Sequence, residues 1–170
     1  MKLRALEQRD APLMLEWMHD ASVVCHLGTN FMEKTLEDCC GFIRWANETQ
    51  RDLHLAVADE QDTYMGTVSL KHIHAGTAEF AITVRACAMG KGYSQFAMQR
   101  ILEHGIRQLG LSAIYWCVSR SNARAVRFYD KNRYLRTQNV PETILQAYTP
   151  EQRAEFIWYV YLEQRKESQC

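Results

Sequence analysis

The sequence predicts an α/β fold: a mixed, mostly antiparallel sheet flanked by helices. Three observations predict it. Three β-rich runs between residues 53 and 84 are separated only by short turn-like stretches, the mark of an antiparallel meander. A long amphipathic pattern follows Gly92, with Met98, Ile101, Leu102, Gly105 and Leu109 at helical spacing. Beyond it, strand-like and helix-like runs alternate as far as the β-rich run Phe156 to Leu162.

Each element has a local reason. Lys2 to Glu7 reads as a first strand, and Ala11 to Asp20 as a helix with Pro12 in its first turn, where a missing N–H costs nothing. Thr35 is placed to cap a helix running to about Thr49, with Leu36, Cys39, Cys40, Ile43 and Ala46 or Asn47 on its inward face. Strands Leu53 to Ala58, Tyr64 to His72 and Thr77 to Val84 are joined by Asp59-Glu60-Gln61-Asp62 and His74-Ala75-Gly76. Gly110 ends the helix after Gly92. Ala113 to Val118 is then a strand, Asn122 to Asn132 a short helix, and Tyr134 to Gln138 a further strand.

The chain has 170 residues, 47% hydrophobic and 24% charged, which suits a single domain spanning 1–170 with a sizeable core. Lysine plus arginine (20) equals aspartate plus glutamate (20), so no global field draws polyanions, and a primary role on nucleic acid or a membrane surface is disfavoured. No run approaches the roughly eighteen apolar residues of a membrane span, and Met1 to Asp10 lacks the apolar stretch of a secretory signal. A cytoplasmic protein is expected. The six cysteines Cys25, Cys39, Cys40, Cys87, Cys117 and Cys170 show no paired metal spacing, and free, mostly buried thiols are expected. The neighbouring Cys39 and Cys40 would point apart on a helix. His72 and His74 form a His-x-His pair without further ligands, and no metal is expected.

The segment carrying most chemistry is Met89-Gly90-Lys91-Gly92-Tyr93-Ser94, between the strand-like run Glu79 to Val84 and the long helix. Glycines adopt positive φ and admit a ligand close to the backbone. The first N–H groups of the helix lack internal partners and sit at its positive end. A phosphate fits there, although Gly-x-Gly before a helix serves equally as a tight turn. There is no third glycine three residues after Gly92 and no Gly-Lys-Ser/Thr ending, which excludes the Rossmann and P-loop patterns.

A second segment, Val118 to Tyr134, carries Asn122, Ala125 and Tyr129 in the pattern Asn-x-x-Ala-x-x-x-Tyr. Together the two segments resemble the GCN5-related N-acetyltransferase (GNAT) superfamily, whose acetyl-CoA loop has the form Gln/Arg-x-x-Gly-x-Gly/Ala. Leu3 to Ala11 and Tyr64 to Leu70 are similar to the opening and third strand of the branch that acetylates ribosomal-protein N-termini. Phe128 to Asn132 is similar to a run in amino-sugar nucleotide N-acetyltransferases. Three positions depart from the pattern: Met89 stands for Gln or Arg, Ser94 for Gly or Ala, and Arg133-Tyr134 for Gly-Phe.

The resemblance implies a GNAT fold with a splay between the fourth and fifth strands, where the acetyl-CoA arm enters. It places pantetheine along Ile82, Thr83, Val84 and Ala86, pyrophosphate on the amides of Met89 to Ser94, and Asn122 near the arm. It also implies transfer of an acetyl group from acetyl-CoA to a neutral amine, with Tyr129 protonating the departing thiolate and backbone N–H groups of Ile82 to Val84 as oxyanion donors. Read from the residues alone, Asn122 is a helix cap and Tyr129 an amphipathic core aromatic.

Glu79 is the foremost general-base candidate, since alternation places Glu79, Ala81 and Thr83 on one face of their strand. It reads equally as a solvated strand residue, with His72, His74 or water as alternative bases. Loops Cys25 to Glu33 and Asn139 to Pro150, carrying His26, Phe31 and Tyr148, are expected at the acceptor mouth, where aromatics stack on a sugar or base or close the core. Neither loop concentrates acidic residues, which disfavours a polyamine acceptor. The acceptor is expected to be a small-molecule amine, with an amino-sugar nucleotide ahead of a peptide N-terminus, and a homodimer stays open. Two alternatives remain: a catalytically idle CoA- or partner-binding module of the same fold, and an unrelated α/β domain matching by chance.

Overall fold

The computed structural model describes residues 1–163; Cys170 and its expected free thiol lie outside the described residues. Seven strands form one mixed sheet in the hydrogen-bonded order β1-β2-β3-β4-β5-β7-β6, with β1 Lys2–Ala5, β2 Leu53–Ala58, β3 Tyr64–His74, β4 Thr77–Val84, β5 Ala113–Ser119, β6 Leu135–Arg136 and β7 Phe156–Leu162. The helices are α1 Ala11–Met18, α2 Ala21–Val24, α3 Leu36–Glu48, α4 Tyr93–Arg107, α5 Ala123–Lys131, α6 Glu142–Leu145 and α7 Pro150–Glu155. Contacts cluster into two compact units, one of Met1–Lys71 with Phe80–Ile101 and one of His72–Glu79 with the described residues from Leu102 onward.

In the first unit β1, β2 and β3 pair antiparallel, with Leu3 opposite Val57 and Leu55 opposite Val68. A bulge between Val57 and Ala58 re-aims the end of β2. Helices α1 and α3 bury Met14, Trp17, Cys39 and Ile43 in a core with Leu6 and Tyr64. The buried polar ends are satisfied: Trp17 Nε1 donates to the Tyr64 hydroxyl at 3.0 Å, which lies 2.7 Å from Thr67 Oγ1. Thr35 caps α3 as expected, its Oγ1 accepting from the Asp38 N–H while Asp38 Oδ2 accepts from the Thr35 N–H, a reciprocal box.

Leu36 departs from the inward face expected of it and is 47% exposed. It is the first residue of α3, so there is no preceding turn for its side chain to lie over. Strand β1 stops at Ala5 because Glu7 and Asp10 close a 3₁₀ turn, the Glu7 N–H donating to Asp10 Oδ2 at 2.9 Å. Asp10, 2% exposed, is a buried charge answered by both terminal nitrogens of Arg4 at 2.7 and 2.8 Å.

In the second unit β5 is parallel to β4 over three pairs, Thr77 with Ala113, Ala78 with Ile114 and Glu79 with Tyr115, so the first residue of the run expected to part from β5 is still paired with it. On its other side β5 runs antiparallel to β7 over seven pairs, and β6 adds two pairs at the edge. Trp116 stacks on Tyr159 at 5.8 Å and meets Tyr129 and Tyr134 edge-on at 5.6 and 5.1 Å, an aromatic core for this unit. Helix α4 ends at Arg107 rather than running to Gly110, and Leu109 is 42% exposed. Gly110 takes φ +66° after the helix, and the Leu111 N–H donates back to the Gly105 carbonyl at 3.0 Å.

Three expectations from composition and spacing change here. Strand β6 covers only Leu135 and Arg136, because Arg133 enters at φ +59° and one further bond, from the Thr137 N–H to the Trp158 carbonyl, closes the edge. The stretch Asn139 to Pro150 contains α6 and begins α7, and Ile144 is fully buried beneath it. Among the described cysteines, all free, only Cys39 is buried, while Cys25 and Cys87 are exposed.

Candidate active site

Gly90 and Gly92 take φ of +76° and +86°, the left-handed region that a side chain resists. A Cβ at Gly92 would meet nothing nearer than Met1 Cε at 3.9 Å, so its requirement for glycine is conformational rather than steric. The Met89 and Lys91 N–H groups are occupied, donating to the carbonyls of Ala86 and Ala88 at 3.1 and 3.3 Å. Helix α4 then starts at Tyr93, whose N–H, with those of Ser94 and Gln95, has no carbonyl partner within the helix. The Phe96 N–H is the first used, on Gly92 O at 3.0 Å. Met89 packs its side chain against the core of the first unit and brings no polar atom to the loop.

The strand leading to this loop departs from simple alternation. Ala78, Glu79 and Phe80 are buried in succession, then Ala81, Ile82 and Thr83 are each half-open. Gly66 on β3 lets the backbone of Thr83 and Val84 come close, since a Cβ there would lie 2.4 Å from the Thr83 carbonyl oxygen and 2.9 Å from Val84 Cα. Arg85 pins the end of the strand: its N–H donates to Met65 O at 2.9 Å and its guanidinium to Tyr64 O at 3.1 Å and to Glu16 at 2.9 and 3.1 Å.

In the second unit Glu79 is 2% exposed, which removes the reading as a solvated strand residue. The Tyr148 hydroxyl donates to Glu79 Oε1, and His72 Nε2 lies 3.4 Å from Oε2. Burial, the neighbouring Cys117 thiol and the Glu79 charge all push the Tyr148 phenol well above its ordinary value, so it stays a donor. Tyr148 sits just before α7, its ring edge-on to Phe156 and Trp158 at 5.6 and 5.3 Å and its carbonyl accepting from Arg153 Nε at 3.1 Å. His74 is exposed at the end of β3, and its carbonyl accepts from Thr77 Oγ1 at 2.9 Å.

Tyr129 lies on α5 among Trp116, Tyr134, Tyr159 and Phe128. Burial first, then the neighbouring Cys117, Tyr134 and Tyr159, raise its phenol above the ordinary value near 10, and its hydroxyl has no hydrogen-bond partner among the described residues. It is therefore a protonated donor at neutral pH. Asn122 caps the same helix, its Oδ1 accepting from the Ala125 N–H at 3.1 Å.

A family model described as acetyltransferase (GNAT) domain matches residues 1–134. The chain belongs to the GNAT acetyltransferase family. Among solved structures it resembles a spermidine N-acetyltransferase from Vibrio cholerae in complex with CoA and spermine, at 21% identity and a TM-score of 0.76 over 95% of this chain and 94% of that one. It also resembles a GNAT-family acetyltransferase from Bacillus anthracis, at 19% identity and a TM-score of 0.73 over 94% and 93%. No curated protein matches the sequence. At these identities the structural likeness carries the fold.

As a GNAT member the protein is an N-acetyltransferase that uses acetyl-CoA as acetyl donor. The residues present fit that co-substrate: two positive-φ glycines precede a helix start whose first amides have no partner within the helix, and a half-open strand leads to them. The first unit brings Ile82, Thr83 and Val84 together with Met89 to Ser94, and the second brings Glu79 together with His72 and Tyr148, with Tyr129 and Asn122 on one helix. His74 is not part of that group. Tyr148, read from sequence only as a loop aromatic, is instead the hydroxyl donor to Glu79, and no local pattern links the two. His26 is exposed, while Phe31 packs edge-on to Trp17 at 5.1 Å. Among the described residues no group of three or more His, Cys, Asp or Glu could hold a metal ion, and no helix is long and apolar enough to cross a membrane.

Proposed function

We propose that residues 1–170 form a single N-acetyltransferase domain that moves the acetyl group of acetyl-CoA to the primary amine of a small molecule. The observation carrying this reading is the buried carboxylate of Glu79, oriented by the Tyr148 hydroxyl and flanked by His72. Acetyl-CoA supplies the activated thioester. Glu79 takes the amine proton, directly or through water, and Tyr129 gives a proton to the departing thiolate. Backbone N–H groups of Ile82 to Val84 hold the pantetheine amides and the developing oxyanion, and the amides after Lys91 hold the pyrophosphate, with Lys91 adding charge.

For the acceptor, an amino-sugar nucleotide stands ahead of a peptide N-terminus, supported by the run Phe128 to Asn132. The spermine named for the Vibrio cholerae structure supports a small amine in general and puts a polyamine on the same panel. The deciding experiment incubates the protein with acetyl-CoA and amino-sugar nucleotides, N-terminal peptides or spermidine, and measures released thiol. Thiol release with an amine supports transfer. No release with any amine, together with a melting temperature raised by acetyl-CoA, would leave an idle binding module instead.

A further inference from the structure

A cavity of about 670 Å³ opens in the second unit, lined by Arg120, Arg136 and Arg153 with Phe156, Trp158 and Thr137. That volume lies within the range of small-molecule sites, roughly 300–1,000 Å³. Three arginines line the cavity and no acidic residue does. Arg136 spends Nε and Nη2 on Asp130 at 3.1 and 2.6 Å, and Arg153 spends Nε on the Tyr148 carbonyl and Nη2 on Glu142 at 3.2 Å. Nη1 of Arg153 lies outside those bonds, Arg136 also meets the hydroxyl and ring of Tyr159, and the carboxylates that hold the two guanidiniums fix their orientation. The Arg120 side chain is exposed and has no hydrogen-bond or ion-pair partner among the described residues.

We propose that this cavity binds a small organic anion through its carboxylate or phosphate group, with the body of the ligand resting on Phe156 and Trp158. Two guanidiniums held in place by other partners and one uncommitted guanidinium gather the positive charge that planar or tetrahedral oxyanions require. The aromatic wall supplies apolar area beside the charge. A long polyanion is the poorer fit, because the positive charge is gathered in a cavity while the chain as a whole carries +0. The wall is shared with the candidate base: Tyr148 packs edge-on to Phe156 and Trp158, accepts from Arg153, and donates to Glu79. An anion drawing on Arg153 therefore acts on the residue that orients Glu79.

The test needs no acetyl transfer. The CoA-free protein is titrated with inorganic phosphate and with citrate at constant ionic strength, chloride serving as control, by thermal shift and calorimetry. Saturable stabilisation is expected in the native chain. Arg120→Gln, at an exposed position without partners, should fold normally and bind about tenfold more weakly, the scale of one lost charge-assisted hydrogen bond. Because the start of α4 also attracts phosphate, Gly92→Val is run alongside and should keep the response. Three results would overturn the proposal: no saturable stabilisation, an Arg120→Gln titration equal to the native one, or a single-stranded oligonucleotide binding more tightly than both anions. In turnover assays, competition between phosphate and the amine assigns the anionic group to the acceptor itself, and non-competitive inhibition assigns it to a separate effector. Either result leaves the cavity an anion site.

Discussion

Tyr148 donates its hydroxyl hydrogen to the carboxylate of Glu79, a residue 69 positions earlier in the chain. The bond joins the turn before α7 to the last paired residue of the β4–β5 ladder. A glutamate that is 2% exposed would pay a large desolvation cost without such a donor. His72, 3.4 Å away, adds an imidazole on the other carboxylate oxygen.

Replacing Glu79 by Gln should keep an acceptor for Tyr148 and hence the fold, while removing the proton acceptor. Turnover should drop by about 10²–10⁴-fold, with acetyl-CoA affinity nearly unchanged. Tyr148→Phe should destabilise by about 1–3 kcal/mol in urea unfolding and lower kcat with little effect on the KM for acetyl-CoA. A native rate in the Glu79→Gln enzyme would assign the base elsewhere.

Tyr129→Phe tests the proton donor. The hydroxyl makes no hydrogen bond among the described residues, so its removal should cost little stability. Turnover should slow while the acetyl-CoA Kd stays as it was, the signature of a group acting in the transition state. Its raised phenol predicts that the native rate does not fall through loss of this proton as pH climbs toward 10. An unaltered kcat in the variant would take Tyr129 out of the mechanism.

Gly92→Val places a β-branched side chain at φ +86°, where its Cβ alone would meet nothing nearer than 3.9 Å. The loop must rebuild, and acetyl-CoA affinity measured by calorimetry should weaken about tenfold or more. Native affinity would mean that the pyrophosphate rests on other amides.

What sequence reading captured is local. The Thr35 cap, the Asn122 cap and the glycine-rich entry to α4 each follow from a few neighbouring residues, and each stands in the structure. The antiparallel strands followed from turn spacing in the same way. Period-two alternation chose a face for Glu79 but not its environment, because burial there depends on β5 and on Tyr148, far along the chain. Leu36 and Leu109 had the right spacing yet are exposed, since periodicity describes a helix interior and both sit at or beyond a helix end. The arginine cavity combines three residues from three segments and leaves no trace in any single stretch of sequence.

Gly66 and Gly41 should respond oppositely to alanine. At Gly66 the new Cβ would lie 2.4 Å from a backbone oxygen, so β3 or the Thr83–Val84 segment must move, at a cost of about 1–3 kcal/mol. Acetyl-CoA affinity should fall with it if that segment carries pantetheine. At Gly41, inside α3, the nearest atom is the tip of Arg44 at 3.9 Å, and alanine should stabilise by about 0.5–1 kcal/mol. Urea midpoints of the two variants moving the same way would contradict this.

His54 gives the stability of the first unit a pH dependence of definite sign. Its ring lies against Phe42 and Trp45 at 5.2 and 5.1 Å, and Nδ1 is 2.7 Å from Ser69 Oγ. Burial lowers its proton affinity below the ordinary value of 6.5; Asp52, 3.8 Å from Nε2, opposes the shift and Lys71 adds to it. The folded chain therefore holds the neutral imidazole where the unfolded chain has begun to bind a proton, and the unfolded state carries more protons just below pH 6.5. Stability from this group is complete above that pH and is lost as pH falls through the lower folded value, with a slope of at most about 1.4 kcal/mol per pH unit. His54→Gln keeps a side-chain partner for Ser69 but cannot titrate. Its unfolding free energy, measured from pH 7 to pH 5, should fall less steeply than that of the native chain, and parallel slopes would show that His54 is not held neutral.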